Sequence, residues 1–308
     1  MRVLKTIIGW IFCLAIICAI LLSGYKLESK LDEYRTAKTK YTETSQQVRN
    51  GRDVDFDKLL ERNEDVKAWI YLPDSQIDYP VVQAEDDDFY LHRDIDKNYL
   101  YDGTIFIEAG NEHPFEDFNT VIYGHHMFSG AMFCGLDKFK EKDYWKDHGL
   151  FQIETPDGSY DLKVIAYCNE PSDSDLYTTF FDDSYDYAEP GEEEDDEESE
   201  VMTKEDFLDF VQEKAVILGD DDFDTNSHYV TLSTCAYNYD EARTQVIGVL
   251  QDPALETVKE TKMINKYTKI NHWLLLQIAI GIIMAVSVIF LLVGQIKSTK
   301  RPRYQSKH

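Results

Sequence analysis

Among 308 residues the chain carries 58 Asp plus Glu against 31 Lys plus Arg, a formal charge of -27. That surplus argues against a nucleic-acid-binding surface, which needs clustered basic side chains. Five cysteines are too few, and odd in number, for an exported fold stapled by disulfides.

Residues 1–5 form a short tail, and the 20 residues of Thr6–Tyr25 (6–25) carry no charge. That length predicts a helix crossing a bilayer core of about 30 Å. The competing reading is a cleaved signal peptide, but no A-x-A-like site follows, so a retained anchor is expected. Residues 26–51 are polar, helix-permissive and rich in Lys, Thr, Glu and Gln, which predicts a stalk.

A domain is expected over 52–252. Val54–Leu60 has apolar residues at helical spacing, and Ala68–Leu72 reads as a strand ended by Pro73. Short β-rich runs follow at Ile77–Val82, Gly103–Glu108 and Asn119–Gly124. Phe151–Thr155 and Tyr160–Tyr167 flank Pro156-Asp157-Gly158, a turn signal, and predict a hairpin. Residues 182–200 hold 12 acidic side chains and no basic one, which predicts a disordered insertion. A calcium loop is the alternative there, but the spaced Asp/Asn and Gly pattern is missing.

Thr203-Lys204-Glu205-Asp206 resembles a capping box, and Phe207, Leu208, Phe210, Val211 and Ala215 follow at apolar helical spacing. Val230–Cys235 and Thr244–Leu250 supply the last strands. Seven or eight short strands with few helices predict a mainly-β barrel or sandwich.

Residues 253–272 read as a linker, 273–296 as a second uncharged span of 24 residues, and 297–308 as a tail with Lys297, Lys300, Arg301, Arg303 and Lys307. Basic residues at both ends place both termini in the cytoplasm and the middle outside the cell membrane.

Cys13 and Cys18 fall in the first span, leaving Cys134, Cys168 and Cys235 outside. Cys134 and Cys168 read as small buried residues, with a bridge between them as the alternative. Cys235 closes the run Tyr229–Cys235, eight residues before Arg243, the only arginine between Arg93 and Arg301. His125 ends the run Thr120–His125. A thiolate is the nucleophilic form of cysteine, an imidazole can move its proton, and a guanidinium can only donate hydrogen bonds. Cys235, His125 and Arg243 at strand ends therefore suggest thiol acyl transfer. Taken singly, each is ordinary: a buried thiol, a structural histidine, a surface charge.

Thr231-Leu232-Ser233-Thr234-Cys235, Asn119 through Met127, Met132-Phe133, Trp69-Ile70 and Ile77 through Gln83 together resemble the sortases, specifically class B, over about residues 52–252. The resemblance implies a closed eight-stranded β-barrel with peripheral helices, flanked here by N- and C-terminal transmembrane helices. It implies a membrane-anchored cysteine transpeptidase of Gram-positive bacteria, acting on secreted proteins that bear a C-terminal sorting signal. In that reading Cys235 attacks a Thr carbonyl, His125 is the catalytic histidine, Arg243 holds the carbonyl and Ser233 contacts substrate, with His126 structural. No cofactor or metal is implied. The acceptor is an amine of a cell-wall precursor. A pilin lysine is the alternative that the second span suggests, and water resolving the thioester would make the protein an endopeptidase. The non-enzymatic alternative is an adhesion or sensor domain with a decayed site.

Overall fold

The computed structural model describes residues 2–127, 129–181, 202–220, 223–235 and 242–253. The chain divides into two compact units, residues 1–32 with 260–308, and residues 33–259. The first is described by the opening part of a helix, α1 (Arg2–Val48). Within α1, Ile7–Glu28 is unburied, with mean hydropathy 2.6, and is long and apolar enough to cross a membrane. The expected acidic insertion, most of the linker and the second span lie outside the described residues.

The second unit continues α1 and adds, in chain order, β1 (Arg49–Asn50), β2 (Asp53–Val54), α2 (Phe56–Arg62), β3 (Val66–Tyr71), β4 (Asp78–Val82), β5 (Ile105–Ile107) and β6 (Asn119–Tyr123). A 3-10 helix (Phe133–Lys140) and α3 (Lys142–His148) precede the hairpin of β7 (Leu150–Glu154) and β8 (Ser159–Pro171). A short 3-10 turn (Asp175–Tyr177), α4 (Lys204–Lys214), β9 (Ala215–Leu218), β10 (Tyr229–Cys235) and β11 (Ala242–Gln251) complete it.

Hydrogen-bonded neighbours run β11, β10, β6, β5, β4, β3, β7, β8, and β11 pairs again with β8. The ring is therefore closed, an eight-stranded barrel with no free edge between its members. β9 lies outside the ring, against the far end of β8 at Ala166–Cys168. Alternation along the strands separates inside from outside. Val230, Leu232 and Val246 join Ile70, Val81, Ile122 and Phe151 in the barrel core. Tyr229 and Ile247, one residue off, face outward and pack with Phe207, Leu208 and Val211 of α4.

The expected hairpin is present, with Glu154 opposite Ser159. α4 begins at the expected capping box, where the Thr203 hydroxyl accepts from the Asp206 amide at 3.1 Å. It ends at Lys214, so Ala215 opens β9 instead of extending the helix. β-branched Val216 and Ile217 favour the extended form where β8 offers an edge.

The stretch expected to be a stalk is helical to Val48, and from Ala37 it lies on the barrel domain. Ala37, Tyr41, Thr44 and Val48 are buried at helical spacing. Tyr41 joins the barrel core, and its hydroxyl donates to the Gly103 carbonyl at 2.5 Å. Lys40 pairs with Asp94 and Asp96, and Ser45 donates to Asp78 at 2.8 Å. The compact unit that holds the barrel spans Glu33–Lys259.

Candidate active site

Three strands bring the candidate residues to one rim. β10 runs parallel to β6 with Tyr123 beside Ser233, and the Gly124 amide continues the ladder onto the Ser233 carbonyl at 3.1 Å. Beyond that pair β10 runs on to Cys235, while His125 follows Gly124 where the chain leaves β6. On the other side of β10 the antiparallel register sets Cys235 opposite Arg243. Glu170 of β8 faces Arg243 in turn. Because opposed residues share a sheet face and alternate residues return to it, positions 233, 235, 243, 245 and 170 lie on the outer face.

Gly124 is needed where β6 leaves the barrel. A Cβ there would meet the Phe133 ring at 2.8 Å. Phe133 is fully buried, and its amide donates to the His125 carbonyl at 3.1 Å. The backbone that carries the histidine thus presses against the core and is tied to it.

The His125 ring is partly buried, and its Nε2 lies 2.8 Å from the Leu91 carbonyl. A carbonyl only accepts, so Nε2–H donates and Nδ1 is the basic nitrogen of the neutral ring. Burial holds the imidazole below its ordinary value of 6.5, and the charges of His92 and Arg243 push the same way. The ring is therefore neutral at pH 7. Arg243 is half-buried, and among the described residues no carboxylate lies within ion-pairing distance of it. Its Nη1 lies 3.5 Å from the Ala242 carbonyl.

His126 is a different residue chemically. Its Nε2 lies 2.7 Å from Asp137, which also accepts from Thr244 at 2.9 Å. Asp137, then the Cys134 thiol, hold the imidazole charged, raising its pKa to about 10. Such a ring neither gives nor takes a proton near neutrality. Cys134 and Cys168 are both free thiols, so no bridge joins them. Cys168 is fully buried, which pushes its pKa up to about 12 and keeps it protonated and inert.

The Sortase domain family model matches residues 70–251. The chain belongs to the sortase family. Sortase B of Listeria monocytogenes is 28% identical over 258 residues, covering 80% of this chain and 98% of the relative. Sortase B of Staphylococcus aureus is 25% identical over 241 residues, covering 76% and 92%. Its crystal structure covers 72% of this chain and 98% of its own, with a TM-score of 0.56. That of Clostridium perfringens sortase B, 27% identical, covers 64% and 100% with a TM-score of 0.54. The chain is thus a class B sortase, a cysteine transpeptidase with the closed eight-stranded barrel of its family.

Ser233, expected to touch substrate, is 1% exposed in this sortase, and its Oγ lies 2.8 Å from the Tyr177 hydroxyl. Gln245 Nε2 donates to the same hydroxyl at 2.8 Å. The Tyr177 ring stacks on Tyr123, whose hydroxyl donates to Glu108. Asn119 fixes this layer by donating to the Leu176 and Thr178 carbonyls at 3.2 and 2.9 Å. Ser233 therefore reaches the outer face through Tyr177. Tyr177, Leu91 and His92 were not singled out in the sequence. Each lies far along the chain from the residue it touches, and only the barrel closure supplies the link.

Proposed function

We propose that this sortase cleaves a C-terminal sorting signal after a threonine and joins the released protein to an amine of the cell wall, with Cys235, His125 and Arg243 as its catalytic residues. The observation that supports this most is the register. One antiparallel pair sets Cys235 opposite Arg243, and one parallel pair joins Tyr123, two residues before His125, to Ser233, two residues before Cys235.

The chemistry follows from those three groups. The Cys235 thiol gives its proton to His125 Nδ1, and the sulfur bonds to the threonine carbonyl carbon. Arg243 donates hydrogen bonds to the carbonyl oxygen as charge builds there. The peptide C–N bond then breaks, and the imidazolium hands its proton to the leaving amine. In the second half an acceptor amine attacks the thioester and loses a proton to His125, and the thiolate leaves as the amide forms. Ser233, with Tyr177, shapes the wall along which the signal peptide lies. No metal or cofactor takes part in either half.

The apolar helix Ile7–Glu28 supports anchoring in the cell membrane. In this reading the barrel stands outside the cytoplasm, residues 273–296 form a second crossing, and the basic tails lie inside. The acidic domain surface suits peptide and wall partners and not nucleic acid. Incubating the full chain with Thr-containing peptides and separate amine acceptors tests the proposal. An amide to a wall-type amine supports it; an isopeptide to a protein lysine, or hydrolysis alone, contradicts the acceptor assigned.

A further inference from the structure

His125 is gripped twice by one segment, and the second grip has no role in the chemistry above. Leu91 takes its Nε2–H in the ring plane, and the next residue, His92, covers the ring face. The two imidazoles are 5.3 Å apart and inclined by only 19°. His92 is itself held. Its Nδ1 lies 3.0 Å from the Tyr101 carbonyl, so Nδ1–H donates, and its ring stacks on Tyr101 at 5.7 Å and 22°.

The segment that presents both groups is rigidly seated. The Thr104 amide donates to the Tyr90 carbonyl at 3.1 Å, and the Thr104 hydroxyl to the Arg93 carbonyl at 2.8 Å. Gly103, at φ +61°, lets the chain close against the Leu91 and Tyr90 carbonyls, where any side chain would clash. Asp94 accepts from the Asp96 and Asn98 amides at 2.8 and 3.0 Å. His92 is thus a ring carried on a fixed platform, although it stands exposed to solvent.

We propose that His92 is a positioning residue for His125: its ring, clamped between His125 and Tyr101, holds the imidazole plane in one fixed orientation for proton transfer. Without it, His125 keeps one in-plane hydrogen bond about which the ring can tilt. A proton-transfer step loses rate steeply with such misalignment. The proposal rests on the catalytic reading of His125. An exposed surface histidine that merely happens to stack is the competing account.

The test uses the full chain with three variants, His92→Ala, His92→Phe and His125→Ala. It follows kcat and KM on a Thr-containing fluorogenic peptide selected on the wild type, together with the His125 titration by NMR. His92→Ala is expected to lower kcat about tenfold with KM held within about twofold, while His92→Phe, which keeps a stacking face, returns kcat to within about threefold. Among the described residues, His92 and Arg243 push the His125 titration down, in the same direction as burial. Removing the ring exposes His125, whose burial lowers its pKa, so its titration midpoint rises in His92→Ala. It rises less in His92→Phe, where the cover remains. A His92→Ala chain with wild-type kcat and an unmoved His125 titration, beside an inactive His125→Ala, overturns the positioning role alone. A His125→Ala chain with wild-type kcat overturns the catalytic reading, and this proposal with it.

Discussion

Cys235 and Arg243 are direct Cα partners across the β10–β11 pair, the last pair before the loop that joins those strands. In the proposed mechanism a guanidinium at that position meets the oxyanion that forms on the acyl group of Cys235. Replacing Arg243 by Ala is expected to lower kcat by about 10² to 10³, the usual loss for one oxyanion donor. Arg243→Lys keeps the charge but not the planar fork, so it recovers only part of the rate. Thermal unfolding checks that the effect is local, since no ion pair to a described carboxylate is lost. Equal activity of Arg243→Lys and wild type would show that charge alone suffices.

The pH profile follows from His125. Burial lowers its pKa below 6.5, so the neutral, proton-accepting form persists as the solution is acidified past the ordinary histidine range. Acylation is therefore expected to lose rate only below pH 6.5, as the ring becomes protonated. Stopped-flow acylation between pH 4.5 and 8 measures this. An acid limb centred above 6.5 would mean that the imidazole is stabilised in its charged form instead.

His126 gives an opposite dependence, in stability. Its pKa rises from 6.5 to about 10 on folding. The stabilisation is therefore fully present below pH 6.5 and is lost as pH rises through about 10. Asp137, held below its ordinary 3.8 by His126 and Thr244 against the opposing effect of burial, loses its share as pH falls through its lowered value. Asp137→Asn is expected to cost about 2 kcal/mol at pH 6. It should also flatten the decline between pH 6.5 and 10. Urea melts at a series of pH values test both, and an unchanged slope in the variant would refute the pair's role.

Tyr41 ties α1 to the barrel domain. Its hydroxyl donates to Gly103 at 2.5 Å and lies 2.9 Å from Thr104 Oγ1, with the ring 3% exposed. Tyr41→Phe keeps the packing and leaves that carbonyl unsatisfied, a loss of about 1 to 2 kcal/mol in denaturant melts. A domain begun at residue 52 lacks Ala37, Tyr41, Thr44 and Val48 altogether and is expected to be less stable still.

The barrel strands were legible as short apolar or alternating runs, with a turn signal at Pro156-Asp157-Gly158 between β7 and β8. His125, Cys235 and Arg243 were legible because all three end or begin such runs. The docking of α1 was obscured by composition: Lys, Thr, Glu and Gln surround a buried face of only Ala37, Tyr41, Thr44 and Val48. The spacing of those four residues carried the signal, but two are small or polar. Ala215 reads as the end of α4 because it fits both periods, and the edge of β8 decides for β9. The support around the site, Leu91, His92 and Tyr177, acts through a backbone carbonyl, a ring face and a hydroxyl reached across the barrel. None of these leaves a local pattern in the chain.

In the proposed mechanism Cys235 forms the acyl bond. Intact-mass spectrometry of the full chain after brief exposure to a library of Thr-containing peptides, without an amine acceptor, tests it most directly. The account predicts an adduct whose mass ends at threonine, mapped by digestion to Cys235 and absent from Cys235→Ala. An adduct carried by Cys134 instead, or turnover that persists in Cys235→Ala, would contradict it.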